Sequence, residues 1–161
     1  KFNVTSHSLP DVPPGTGDIQ LTLSQQVPLT GAVVVTTPQD IALIDAKKGL
    51  RMFQKVNVPI LGIIENMSVF ICPHCGEVEH IFGEGGAKRM SEQYGVPLLG
   101  ELPLSAKIRE QADSGLPTVA AEPDGKEALM YREMAMKVAG ALARITKDYT
   151  AKMPGIRVVN D

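Results

Sequence analysis

Short, continuous apolar runs alternate along the chain with longer segments in which apolar residues recur at helical spacing. Residues 32–37 and 59–64 are two such runs, rich in β-branched side chains and bounded by Pro, Gly or polar residues. This pattern is typical of strands that are buried on both faces of a parallel sheet. Residues 39–56, between them, carry apolar side chains at helical spacing. Together the three segments predict a βαβ unit.

The same alternation continues toward the C-terminus. It predicts helices over 84–94, 106–114 and 125–147, a third strand over 97–102, and a last strand or extended segment over 116–121. Gly95 and Gly115 follow the first two of these helices, where glycine commonly ends a helix. The order of elements predicts an α/β fold, a partial doubly wound, mostly parallel sheet flanked by helices.

Length and charge narrow the classes of function. The chain has 161 residues and a formal net charge of −2, which suits one domain and gives no electrostatic argument for a nucleic-acid partner or an anionic membrane. Its apolar runs are far shorter than the about 20 residues that a membrane-spanning helix needs. We therefore expect no nucleic-acid partner and no membrane span.

The first ten residues do not fit the alternation. Residues 1–10 are mostly polar and end on Pro10, which cannot donate to a strand ladder. We predict an atypical start over 1–10, either foreign to the domain or partway into a larger one. The domain itself covers 11–149, with a Cys-x-x-Cys loop at 70–82, and a tail follows at 150–161.

The segment Cys-Pro-His-Cys-Gly carries the strongest chemical signal. Cys72 and Cys75 lie three positions apart and are followed by Gly76, so a tight turn directs both thiolates at one soft metal ion. Zinc and iron–sulfur sites usually have four ligands. Either His74 and His80 complete the set, or a second copy of the chain does.

Two other interpretations of the cysteine pair remain open. The same spacing occurs in dithiol oxidoreductases, where the pair lies at a helix N-terminus that lowers the pKa of the first thiol. Here the surrounding residues predict a hairpin or loop, which favours metal binding. The two cysteines could also be free thiols of a surface loop. Two cysteines form no disulfide framework, and a reducing compartment is expected.

Two further segments have both a functional and a structural interpretation. Asp11 precedes Pro-Pro-Gly15-Thr-Gly, so its carboxylate could hold Mg²⁺ and the glycines could approach a phosphate; alternatively this is a turn that caps a helix. Asn66 follows a predicted buried strand. Its amide could bind a base at the sheet edge, or it could simply turn the chain out of the sheet.

In this order and spacing, these segments resemble the Mrp/ApbC group of iron–sulfur cluster carrier ATPases, which belongs to the MinD-like deviant P-loop NTPases. The resemblance covers roughly residues 11–119. It is most specific at 13–25, 36–49, 65–68 and the cysteine segment 72–75.

The resemblance implies roles for individual residues. Asp11 matches the acid that orders Mg²⁺, and Gly15 matches the loop that senses the γ-phosphate of ATP. Asn66 matches the residue that recognises adenine, and Pro103 falls where relatives approach the base. The resemblance thus implies ATP and Mg²⁺ as ligands of the intact protein and a slow ATPase activity.

For the cysteines, the resemblance implies a shared cofactor. Cys72 and Cys75 match the pair that, with the same pair of a second subunit, holds a 4Fe-4S cluster across a homodimer. Zinc could occupy the same ligands as a substitute or as a structural ion. Apo iron–sulfur proteins are the implied partners, and the implied compartment is the cytoplasm or, alternatively, the mitochondrial matrix.

The 161 residues depart from the family at one point. The Gly-rich loop with a signature lysine that cradles the phosphates is not among them, since Gly125-Lys126 is followed by Glu127 and the glycines at 83–86 are followed by Ala87. The chain matches the C-terminal half of the ATPase domain. We therefore expect it to bind ATP poorly by itself and not to turn it over.

Overall fold

A three-stranded parallel sheet with flanking helices forms the described part of the chain. The computed structural model describes Thr22 and residues 29–145. Its elements follow in the order β1 (Ala32–Thr36), α1 (Asp40–Lys55), β2 (Ile60–Glu65), β3 (Phe70–Ile71), β4 (Val78–Glu79), α2 (Gly86–Tyr94), β5 (Leu98–Glu101), α3 (Ala106–Asp113), α4 (Thr118–Ala121) and α5 (Lys126–Arg144). The predicted fold class is confirmed.

Strand β2 lies at the centre of the sheet and pairs in parallel with both neighbours, in the order β1-β2-β5. Thr36 of β1 and Glu101 of β5 are the register partners of Glu65, the last residue of β2. The three strands therefore end at the same edge. Loops that follow them meet there, which is where ligands bind in open α/β sheets.

The main core lies between this sheet and the helices α1 and α2. Leu50, Ile63 and Met90 are almost completely buried and come from α1, β2 and α2 respectively. Burial of one such side chain contributes about 1.5–3 kcal/mol. This cluster packs α2 against the sheet.

The type of one element and the start of one helix differ most from the sequence prediction. Residues 116–121, expected to be extended, contain the short helix α4, because the carbonyl of Pro117 accepts hydrogen bonds from the N–H groups of Ala120 and Ala121. Helix α2 begins later than position 84, since Gly83 and Gly85 have positive φ angles, a conformation that helices exclude.

No helix in the described residues combines the length and the apolar character that a membrane crossing requires. Helix α5 ends at Arg144, earlier than predicted, because Ile145 is already extended. Residues 146 and 147, the predicted start and the predicted tail lie outside the described residues.

Gly62 allows β2 and β5 to pack closely. A Cβ at this position would overlap the side chain of Leu99, which is itself buried. Gly62→Ala is expected to lower the free energy of unfolding by about 1–3 kcal/mol, as overpacked cores do. Urea denaturation followed by circular dichroism measures the change.

Gly49→Ala is the matched control. Gly49 lies within α1, and a Cβ there has no neighbour within 4 Å, so the helix should gain about 0.5–1 kcal/mol. Equal effects of the two substitutions would contradict the packing argument.

Candidate functional site

The two cysteines lie on the turn of a β-hairpin. Strands β3 and β4 pair antiparallel, and the N–H of Cys72 donates to the carbonyl of Glu77 at 2.9 Å. The N–H of Gly76 donates back to the carbonyl of Cys72 at 2.9 Å, with Gly76 at a φ of +77°. A residue with a side chain would be strained there. The hairpin that the sequence suggested is confirmed.

The turn leaves both thiols free and favours a thiolate at one of them. Cys72 is half-buried, Cys75 is exposed, and both are free. The pKa of the Cys72 thiol is lowered by hydrogen bonds from the backbone N–H of Cys75 and then of His74, and further by the side chain of Cys75. Thiolates are the form that binds metals and reacts with electrophiles.

The histidines do not complete a metal site with this pair. Within residues 29–145, no three His, Cys, Asp or Glu side chains lie close enough to hold a metal ion together. His74 is exposed on the turn, and Nε2 of His80 lies 4.0 Å from Oε1 of Glu84. The first of the two ligand sets considered above, two cysteines and two histidines of one chain, is therefore not formed here.

Hydrogen bonds attach the base of the hairpin to the sheet. The N–H and the hydroxyl of Ser68 both donate to the carbonyl of Leu102, at 2.9 and 3.1 Å. The N–H of Leu104 donates to the carbonyl of Val69 at 2.7 Å. The segment that leads to the first cysteine thus runs beside the segment that follows β5.

The structure brings Asn66 and Pro103 to the same sheet edge. Asn66 follows β2, where its N–H donates to the carbonyl of Thr36 at 2.7 Å. Its Oδ1 accepts a hydrogen bond from the N–H of Met67, so part of the side chain supports the turn out of the sheet. Pro103 is half-buried beyond the end of β5. Both residues are placed at the edge where a base was expected.

A cavity of about 710 Å³ opens beside this edge. Pro103 lines it from the sheet, Ile71 and His80 line it from the hairpin, and Met134 lines it from α5. The loop expected to contact the base and the hairpin that carries the cysteines therefore border one space. Asp11 and Gly15 lie outside the described residues.

Sequence analysis missed the role of Glu65. This residue is only 1% exposed, and its Oε2 accepts a hydrogen bond of 2.6 Å from the N–H of Ala87 at the start of α2. The signal was present in the sequence, because a carboxylate that directly ends a continuous apolar run is a candidate for burial. Buried carboxylates need partners such as this one.

Comparison with known proteins finds similarity to one family. A family model described as NUBPL iron-transfer P-loop NTPase matches residues 7–139. An iron–sulfur cluster carrier protein of Escherichia coli K12 is 61% identical over 132 residues, covering 82% of this chain and 36% of the relative. An iron–sulfur cluster carrier protein of Pseudomonas fragi is 57% identical over 135 residues, covering 84% of this chain and 47% of the relative.

A eukaryotic relative and two solved structures extend the comparison. The iron–sulfur cluster transfer protein NUBPL of Dictyostelium discoideum is 51% identical over 86% of this chain and 43% of its own length. A nucleotide-binding protein of Archaeoglobus fulgidus in complex with ADP is similar with a TM-score of 0.61 and 34% identity, over 74% of this chain and 48% of its own. The cell division ATPase MinD of Pyrococcus furiosus is similar with a TM-score of 0.54 and 26% identity, over 69% of this chain and 43% of its own. The chain thus spans less than half of each.

The backbone hydrogen bonds at Cys72 predict unequal reactivity of the two thiols. Because its thiolate is stabilised, Cys72 should be alkylated by iodoacetamide faster than Cys75 at about pH 7, and its advantage should shrink as the pH rises above the usual thiol pKa of about 8.5. Mass spectrometry of the modified peptide measures both rates. Faster modification of Cys75 at neutral pH would contradict the prediction.

Proposed function

Since the chain belongs to the NUBPL iron-transfer P-loop NTPase family, we propose that it is the cysteine-bearing part of an iron–sulfur cluster carrier. The observation that carries this proposal is the hairpin turn with two free cysteines, one half-buried and one exposed. Such a turn can present two thiolates to a cluster that must later be passed to another protein.

The proposed cargo is a 4Fe-4S cluster shared by two copies of the chain. Such a cluster takes four thiolates, whereas one hairpin supplies two. Ile71, Val78 and Ile81, in and next to the hairpin, are between 51% and 54% exposed. A second copy facing the first would cover these apolar side chains and supply the two missing ligands. Apo iron–sulfur proteins would receive the cluster.

ATP and Mg²⁺ are proposed as regulators in the intact protein. Asp11 would order Mg²⁺ and Gly15 would approach the γ-phosphate, as the family resemblance implies. Asn66 and Pro103 would contact the base, which their placement at one sheet edge supports. Transfer that depends on ATP would follow if binding at this edge changes the position of the hairpin.

Two other functions use the same residues. Zinc could bind the cysteine pair as a structural ion, and the free thiols support this as well as they support a cluster. A dithiol oxidoreductase is favoured by the lowered pKa of Cys72. The hairpin argues against it, because such pairs lie at helix N-termini. For a carrier, we propose a reducing compartment, either the cytoplasm or the mitochondrial matrix.

Anaerobic reconstitution with iron and sulfide tests the carrier proposal. The chain should turn brown and absorb in a broad band near about 400 nm, and its mass in solution should double, as measured by light scattering. Cys72→Ala should abolish both changes, because the remaining cysteine of each copy leaves the cluster short of ligands.

His74→Ala is the matched control on the same turn. His74 lies between the cysteines and is exposed, and the proposal gives it no ligand role, so this variant should take up iron and dimerise like the wild type. Zinc that resists replacement by the cluster would favour the structural ion instead. A brown monomer with iron bound would contradict the shared cluster.

Calorimetry tests the expectation for ATP. The 161 residues contain no Gly-rich, lysine-bearing phosphate loop, so titration of MgATP into the chain should give weak binding or none. Stoichiometric binding would contradict the expectation.

A further inference from the structure

Residues 66–85 form an excursion from the sheet that carries the cysteine hairpin, and Glu65 connects its two ends. The chain leaves the sheet directly after this residue and returns at α2. The carboxylate of Glu65 accepts the hydrogen bond of 2.6 Å from the N–H of Ala87, 22 positions later. Its backbone carbonyl accepts another, of 2.8 Å, from the N–H of Leu102. A single residue therefore bonds both the start of α2 and the segment after β5.

Helix α2 has no cap of its own. Its N-cap residue is Gly85, which has no side chain to accept a hydrogen bond, and its first turn contains no acidic residue. Ala87 is the second residue of the helix, and its N–H is one of the groups that normally donate a hydrogen bond to an N-cap side chain. Glu65 supplies this acceptor from the end of β2.

Side chains and backbone pack closely around this helix start. A Cβ at Gly86 would lie 2.7 Å from Cδ1 of Leu43 and 3.1 Å from the carbonyl oxygen of Pro38. Ala87 is completely buried, so its N–H is paired with this carboxylate rather than with solvent. If the carboxylate is removed, the N–H of Ala87 loses its partner and the start of α2 loses its fixed position.

The hairpin depends on this anchor because it is short. Strands β3 and β4 have two residues each, which is too little to hold an isolated hairpin in one orientation. The residues just before its first strand, Ser68 and Val69, are hydrogen-bonded to the segment that follows β5. Its second strand leads through the loop at 80–85 to the helix start that Glu65 holds.

We propose that Glu65 is a positioning residue for the cysteine pair: by capping α2 from the end of β2, it closes the excursion at its base and keeps the hairpin in the orientation that presents both sulfurs. The effect of Glu65 on cluster binding rests on the proposed function. Its effect on the position of the hairpin does not.

Three variants of the full chain separate charge, hydrogen bond and core packing. Glu65→Leu keeps approximately the volume but removes the acceptor. Glu65→Gln keeps an oxygen acceptor without the charge. Ile63→Val, on the same strand and equally buried, lowers the stability of the core without touching the cap.

Amide hydrogen exchange in the absence of metal is the first measurement. In Glu65→Leu, amides of residues 68–87 should exchange about tenfold faster or more, whereas Glu65→Gln should stay within about fivefold of the wild type. Ile63→Val should not accelerate exchange in residues 68–87 more than in the rest of the chain. The proposal is overturned if Glu65→Leu leaves the segment unchanged, or if Ile63→Val accelerates it as much as Glu65→Leu at equal global stability.

The rate at which a chelator removes iron from the reconstituted chain is the second measurement. Glu65→Leu should lose iron about tenfold faster than the wild type, whereas Glu65→Gln should lose iron at a rate close to that of the wild type. Faster exchange with an unchanged rate of iron loss would overturn the role toward the cluster. If the wild type takes up no cluster, the proposed function fails, and the exchange measurement still decides whether Glu65 holds the hairpin.

Discussion

The pairing of β2 with a parallel strand on each side is the constraint on which the described structure depends. Because all three strands end at one level, residues that follow them in distant parts of the sequence meet at one edge. Asn66 and Pro103 reach that edge from β2 and β5. The hairpin of the cysteines starts from the same place. The sheet thus determines which segments can influence one another.

The hairpin itself contributes little to its own order. Its strands are short, its turn is exposed, and its apolar side chains at Ile71 and Val78 face solvent in the single chain. If the turn binds a cluster as proposed, its exposure leaves the ligands within direct reach of a receiving protein.

Much of this arrangement was predictable from the sequence, for identifiable reasons. The strands β1, β2 and β5 follow from continuous apolar runs, and the ends of α2 and α3 follow from Gly95 and Gly115, both at positive φ. The cysteine turn follows from its spacing and from Gly76. Helix α4 was missed because Leu-Pro-Thr-Val has no helical periodicity. The helix forms through hydrogen bonds to the carbonyl of Pro117. The cap of α2 by Glu65 was missed because it joins residues 22 positions apart, which no local pattern records.

The attachment of the excursion at a single strand end has an evolutionary consequence. Since the chain departs at Glu65 and rejoins the framework at Ala87, everything between is topologically an insertion into an otherwise ordinary strand-to-helix connection. Insertions of this kind tolerate changes in length and composition. A different turn could be grafted there while the sheet and its helices keep their places, so the proposed cargo site can change independently of the framework.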